Sequence, residues 1–166
     1  LTAINPNSVL IPVTRVSGVT SVIAQPAGGM FPGQAALIHL HGYTPEQMYG
    51  GFKGTVINFP TSGRRGRFDR RSDEEIQKES EKALQKLNDN WERVMTFAAI
   101  DSATQGRAEY NPELAALVPL YRGEATAMIE VNKEDDILLA LKWIKSKNIK
   151  AILTGVAEGW RVADSL

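Results

Sequence analysis

The segment ATAMIEVNKEDDILLALKWIKSKNIKAILTGV, residues 125–156, decides the predicted fold. ATAMIEV and IKAILTGV are apolar runs typical of buried strands. Between them, KEDDILLALKWIKSKN predicts an amphipathic helix, because Ile137, Leu141 and Ile144 recur at helical spacing and Asn148 can end the helix. A strand, a helix and a second strand joined by short connections form a βαβ unit, whose two strands run parallel.

The flanking sequence extends this pattern in both directions. Upstream, Asn111 and Pro112 begin a predicted helix that ends near Gly123, and downstream AEGWRVADSL predicts the start of another helix. The earlier runs VTSVIAQP, AALIHLHG and KGTVINFP each predict a strand. We therefore predict an α/β fold with a parallel sheet of βα units, either doubly wound or part of a (β/α)8 TIM-type barrel.

Residues 61–110 differ from the rest of this predicted single domain, which spans residues 1–166. A polar loop is followed by Ser72 and Glu75, whose spacing predicts a capping box at the start of a long helix. The charged first half of that helix is expected to project into solvent. An apolar stripe follows at helical spacing, formed by Leu84, Leu87, Trp91, Val94, Met95 and Ala98.

The loop GRRGRFDRR, within residues 63–71, carries five arginines from Arg64 to Arg71 around one phenylalanine. Such a loop can bind phosphate groups or a nucleic-acid backbone. Alternatively it is a solvated loop, offset by the acidic residues that follow it. The net charge of 0 and the lack of a nucleic-acid-binding motif argue against a nucleic-acid partner.

Composition excludes several kinds of site. The chain has no cysteine, which rules out disulfides, thiolate metal ligands and cysteine nucleophiles, although it does not fix the compartment. No apolar run approaches the ~20 residues that span a bilayer, so no membrane partner is predicted. The chain starts without methionine and stops within a helical pattern, and we expect it to be a fragment of a longer protein.

The two histidines, His39 and His41, lie two apart in the predicted strand AALIHLHG. Alternate strand residues share a face, so the two imidazoles are placed to hold a metal ion. A metal site needs at least one further ligand, and no other histidine or cysteine is present. The alternative is a strand with one polar face near an active-site mouth.

Two segments resemble a known family. The family is that of metal-dependent amidohydrolases related to imidazolonepropionase, and the segments that resemble it are INPNSVLIPVTRVSGVTSVIAQPAGGMFPGQAALIHLHGYTPEQM, from residue 4, and PELAALVPLYRGEATAMIEVNKEDDILLALKWIKSKNIKAILTGVAEGWRVADSL, from residue 112. The resemblance is weakest over residues 50–110. It implies a (β/α)8 barrel, of which a chain this short would hold roughly half, because a complete barrel needs ~250 residues.

The resemblance also implies a site. In the family a divalent metal, usually zinc, activates the water that attacks an amide-like C–N bond. The family's middle-strand ligand maps onto Glu130, although that residue is alternatively an exposed strand-end glutamate paired with Lys133 or Arg161. The family's His-x-His precedes the GVTSV strand, whereas His39 and His41 follow it. The resemblance therefore makes Gln34, His39, His41 and Asn132 candidate substrate-binding residues and not ligands.

One position departs from the family. Where related enzymes carry a histidine ligand after the following strand, this chain has Gly155. Three functions remain. The chain is part of a hydrolase of small-molecule or peptide-like amides, inactive alone and without bound metal, or it is a non-catalytic binding relative. The third alternative is an unrelated α/β domain that binds a phosphorylated ligand or nucleic acid through Arg64–Arg71. Half a barrel leaves open strand edges and an uncovered apolar face, which predict that the fragment associates with itself.

Overall fold

A computed structural model of the protein describes residues 3–63, 70–104, 106, 109 and 111–166. The strands in this part are β1 Ser21–Ala24, β2 Gly33–His39, β3 Tyr49–Asn58, β4 Thr126–Val131 and β5 Ala151–Gly155. The helices are α1 Leu10–Val16, α2 Pro45–Met48, α3 Asp73–Ala103, α4 Pro112–Tyr121 and α5 Glu134–Lys147, followed by 3-10 turns at Gly159–Arg161 and Ala163–Ser165. None of these helices combines the length and apolarity needed to cross a bilayer.

The five strands form one sheet in chain order, β1-β2-β3-β4-β5. β1 pairs antiparallel with β2 and β2 antiparallel with β3, whereas the pairs β3–β4 and β4–β5 are parallel. The predicted parallel sheet of βα units in a partial (β/α)8 barrel is therefore wrong, and the sheet is mixed.

Connection length explains this correction. The links between β1 and β2, residues 25–32, and between β2 and β3, residues 40–48, are short. A parallel return needs a crossover of a dozen residues or more, so these strands must reverse direction. Residues 59–125 and 132–150 are long enough to hold crossover helices, and the strands that they join are parallel.

Helices α3, α4 and α5 pack on one face of the sheet. Ile57, Ala127 and Ile129 on that face contact a core that includes Leu87 and Trp91 of α3. Trp91 and Trp143 meet edge to face with ring centroids 5.5 Å apart, a favourable geometry for aromatic pairs. Met95, predicted to belong to the apolar stripe of α3, is instead 39% exposed.

Several local predictions are confirmed. Ser72 and Glu75 form the capping box of α3, and Asn111 caps α4 with Pro112 in its first turn. The predicted helix AEGWRVADSL is wrong, because this segment forms only two 3-10 turns. That residues 61–110 project as a unit stays a prediction. In the arginine-rich loop, the arginines at 64, 65 and 67 lie outside the described residues.

Candidate functional site

Three polar side chains lie in one row across the carboxyl ends of the parallel strands. Asn58 of β3 is in register with Glu130 of β4, and Glu130 is in register with Thr154 of β5. Neighbouring strands are about 4.8 Å apart, so side chains at matching positions are within reach of one ligand. We call Asn58, Glu130 and Thr154 the polar row.

The polar row faces away from the helices. Glu130 alternates with Ile129, whose side chain packs in the core between sheet and helices. It therefore shares the opposite face with Met128, which packs with Ala35 and Val56. Glu130 is exposed, and no ion pair joins it to another residue in the described part of the chain. The alternative pairing of Glu130 with Lys133 or Arg161 is thus not found.

Hydrogen bonds fix the ends of β3 and β4, which carry Asn58 and Glu130 of the polar row. The Asn58 side-chain Nδ2 group donates to the Gly29 carbonyl over 2.7 Å, and the Asn58 backbone N–H donates to the Met30 carbonyl over 3.0 Å. The Phe59 amide donates to the Glu130 carbonyl over 3.3 Å, which extends the parallel pairing past the end of β3. The position of the Asn58 side chain relative to Glu130 is consequently set by main-chain contacts.

A cavity of about 450 Å³ opens beside Glu130. Asn58, Glu130, Asn132 and Lys133 supply polar groups to its wall. The Lys133 side chain lies across Gly63, where an added Cβ would come 2.5 Å from Lys133 Cε, so a larger residue there would displace the end of the lysine side chain. A concave site of this size at the carboxyl ends of parallel strands is the usual place for a ligand in α/β folds.

The buried carboxylate of Asp136, in the first turn of α5, fixes the cavity wall. It accepts hydrogen bonds from the Thr61 hydroxyl at 2.8 Å, the Ser62 hydroxyl at 2.7 Å and the Ser62 amide at 3.0 Å. Only 2% of Asp136 is exposed, so these bonds replace those that water would make. Asp136 thereby ties the loop after β3 to the helix after β4.

The loop after β5 holds the start of the same helix. Lys133, the N-cap of α5, makes no side-chain capping bond. Instead, the Glu158 carboxylate accepts a hydrogen bond from the Glu134 amide at 2.9 Å, which satisfies a free N–H at the helix start. Arg161 also pairs with the Glu134 carboxylate at 3.4 Å. The ends of β3, β4 and β5 are thus connected through the first turn of α5.

The structure separates the predicted site residues into three places. Glu130 and Asn132 line the same cavity. Gln34, in register with Thr55, lies at the start of β2 and lines a different cavity beside α3 and α4. His39 and His41 lie at the opposite end of the sheet, because the antiparallel β2 carries its carboxyl end to the start of β3.

The histidines are not a pair on one strand. β2 ends at His39, and His41 lies beyond it. The His39 Nδ1 atom shares a hydrogen bond of 2.8 Å with the Ser21 hydroxyl on the neighbouring strand. Both histidines are exposed, far along the sheet from Glu130.

Gly155 has a conformational reason to be glycine. Its φ angle is +81°, in the left-handed region that side-chain-bearing residues disfavour. A Cβ at this position would also overlap Asn132 Oδ1. With this backbone, a histidine cannot replace Gly155 without a shift of both residues.

The described residues do not supply a metal centre by themselves. No group of three histidine, aspartate or glutamate side chains among them could hold an ion. At the cavity, the Asp136 carboxylate is engaged by Thr61 and Ser62, which leaves Glu130 as a single candidate ligand. A structural or catalytic zinc needs at least three protein ligands, and the described residues do not hold such a set.

Comparison with known proteins supports the fold. No family model and no curated protein matches the chain. A solved structure described as an amidohydrolase from Thermotoga maritima MSB8 matches with a TM-score of 0.78 at 17% sequence identity. The match covers 99% of this chain, which spans 44% of the length of that one. The chain thus has an amidohydrolase-like fold, whereas a specific relation to imidazolonepropionase stays a prediction.

The sequence predicts Glu130 and Asn132 as site residues, which stays a prediction, and it does not point to Asn58 and Thr154, which the sheet register places beside Glu130. Both missed residues follow the apolar part of their strands by the same offset as Glu130: Val-Ile-Asn, Met-Ile-Glu and Ile-Leu-Thr occupy matching registers. Aligning the three predicted strands by their last apolar pair would have placed the three polar residues side by side.

Proposed function

We propose that this chain is part of a metal-dependent amidohydrolase related to imidazolonepropionase, which hydrolyses amide-like C–N bonds of a small-molecule or peptide-like substrate. The complete protein uses a divalent metal, zinc, and Glu130 contributes one of its ligands. The remaining ligands come from parts of a longer protein. The likeness to the Thermotoga maritima amidohydrolase supports the fold part of this proposal.

The polar row is the observation that carries the proposal. Glu130 is a carboxylate at the carboxyl end of a parallel strand, exposed on a cavity and flanked by two neutral hydrogen-bonding side chains. Buried carboxylates need hydrogen-bond partners, as Asp136 has in this chain, whereas the Glu130 carboxylate is exposed and joined to no other described residue by an ion pair. A carboxylate exposed at this end of the sheet is available to a ligand.

The other residues position the substrate. Thr154 and the Asn58 amide oxygen offer hydrogen bonds on either side of Glu130, and Asn132 and Lys133 form the outer wall of the cavity. Lys133 adds a cationic group that attracts a substrate carboxylate. The Asp136 network holds this wall in place during binding.

Metal content of the protein expressed from its complete reading frame tests the proposal. Glu130→Gln keeps the shape of the side chain and removes the ligand charge. Losing a ligand should weaken metal binding by at least ~100-fold, because even second-shell changes weaken it 10–100-fold. Glu124→Gln, at the other end of β4, is the matched control and should keep the metal. Equal metal content in the wild type and both variants would contradict the proposal.

Gly155 favours a second candidate, a non-catalytic binding relative. Its left-handed backbone and the Asn132 contact disfavour the histidine that the family resemblance places there. In that case the polar row binds a small polar ligand and nothing is hydrolysed. Saturable binding of a peptide-like amide without turnover, in a protein that lacks bound metal, would favour this candidate.

A further inference from the structure

A second cavity lies on the helix-bearing side of the sheet, away from the polar row. It has a volume of about 470 Å³ and separates β2 and β3 from α3 and α4. This size falls within the range of about 300–1,000 Å³ that is usual for small-molecule sites. The cavity shares no lining residue with the one beside Glu130.

The floor of this second cavity holds an unsatisfied polar group. Thr55 is only 4% exposed, and its hydroxyl has no hydrogen-bond partner among the residues that the structure describes. Buried hydroxyl groups are nearly always paired, because an unpaired one destabilises the folded state. Thr55 lines the cavity, and its hydroxyl is a hydrogen-bonding group that no described residue uses.

The rim of the cavity is basic and its inner walls are apolar. Lys86 and Arg93 of α3 supply two cations and Glu113 of α4 supplies one carboxylate, so the rim has a net positive charge. The Arg93 guanidinium donates to Asn90 Oδ1 over 3.4 Å, which directs it along the rim. Phe31 and Leu117 are among the apolar wall residues.

From these contacts we propose that the cavity binds a small organic carboxylate with a compact apolar body. The carboxylate lies between Arg93, Lys86 and the Thr55 hydroxyl, and the apolar body contacts Phe31 and Leu117. Charge-assisted hydrogen bonds from a guanidinium suit a carboxylate in particular. The site lies on the opposite face of the sheet from Glu130 and does not depend on the proposed hydrolase function.

Phenylacetate is a suitable probe, and phenylacetamide is its uncharged counterpart. Titration of the 166-residue chain, followed by calorimetry and by the thermal unfolding temperature, should show saturable binding of phenylacetate at millimolar concentration or below. Phenylacetamide should bind at least ~10-fold more weakly, because it lacks the charge that Lys86 and Arg93 recognise. Equal binding of the two probes would overturn the proposal, as would binding of neither.

Two variants and one control locate the site. Thr55→Val keeps the side-chain shape but removes the hydroxyl, so it should raise the unfolding temperature and yet weaken phenylacetate binding about 5- to 10-fold. Opposite changes in stability and affinity exclude a merely structural effect. Arg93→Gln should weaken binding about 10-fold, whereas Lys82→Gln, an exposed lysine outside the cavity, should not change it. Unchanged affinity in either Thr55→Val or Arg93→Gln would overturn the proposal.

Discussion

Asn132 lies against the backbone of Gly155, so closely that a Cβ atom at residue 155 would overlap Asn132 Oδ1. Gly155 also has a φ angle of +81°. Gly155→Ala should therefore destabilise the protein by at least about 3 kcal/mol, the sum of a left-handed backbone penalty and a steric overlap. Urea unfolding measures this difference directly.

A matched glycine separates the two causes. Gly123 has a similar φ angle of +73°, but an added Cβ there meets no atom within 4 Å. Gly123→Ala should cost only about 1 kcal/mol. Asn132→Ala combined with Gly155→Ala should recover the steric part of the loss. If Gly155→Ala were no more destabilising than Gly123→Ala, the close approach of Asn132 would be wrong.

Asp136 is predicted to be the most sensitive carboxylate near the candidate site. Asp136→Asn keeps one acceptor oxygen and replaces the other by an N–H₂ group, so the side chain can no longer accept both the Thr61 bond at Oδ2 and the Ser62 hydroxyl bond at Oδ1. We expect a loss of about 3 kcal/mol in the free energy of unfolding, since hydrogen bonds to a buried charge are strong. The exposed neighbour Asp135→Asn is the control and should change stability by less than about 0.5 kcal/mol. Comparable losses in both variants would contradict the assigned network.

The capping box of α3 gives a pH prediction. Hydrogen bonds from the Ser72 backbone N–H, and then from the Ser72 hydroxyl, lower the pKa of Glu75 from its ordinary value of 4.5. Because the folded-state pKa is the lower one, the stabilisation is complete above pH 4.5 and is lost as the pH falls through the folded-state pKa.

The wild type should therefore have a higher free energy of unfolding than Glu75→Gln at pH 7, and this difference should shrink below pH 4.5. Urea midpoints between pH 7 and pH 3 provide the measurement. Glu92→Gln, on the exposed side of the same helix, serves as the control. A gap between wild type and Glu75→Gln that stays constant over this pH range would argue against the capping role.

The sheet edges predict self-association. Within the described residues β5 pairs only with β4, so its other edge is open. Ile152 of β5, in register with Met128 on the face of the sheet away from the helices, is 45% exposed. Edges of this kind pair with other chains unless charged side chains protect them. Sedimentation velocity should show dimers or larger species, and Ile152→Lys should reduce them. Ile100→Lys, at an isoleucine of α3 that is 49% exposed, should not. A monomer at high concentration would be evidence against edge pairing.

Local structure was predictable from the sequence because its causes are local. Ser72 with Glu75, and Asn111 with Pro112, specify helix starts through contacts three residues apart. Strands β4 and β5 and helix α5 were likewise found from their apolar spacing. Glu130 was identified because it follows an apolar run at a strand end.

Strand direction and the neighbours of Glu130 were not found, because they depend on contacts between distant segments. The short links at residues 25–32 and 40–48 require antiparallel pairing, whereas the family resemblance implies parallel strands. A parallel sheet would allow His39 to lie near an active-site mouth, but the reversal of β2 moves it to the other end of the sheet. Asn58 lies 72 positions before Glu130, and only the sheet register brings them together.

The central claim is that the carboxylate of Glu130, flanked by Asn58 and Thr154, acts in the hydrolysis of amide-like bonds. The most direct measurement is the rate at which the protein from the complete reading frame cleaves a panel of N-acyl amino acids and dipeptides. We predict measurable cleavage by the wild type and by Glu124→Gln, with a loss of at least ~100-fold in kcat/KM for Glu130→Gln. Full activity in Glu130→Gln, or no cleavage by a folded wild type loaded with zinc, would contradict the claim.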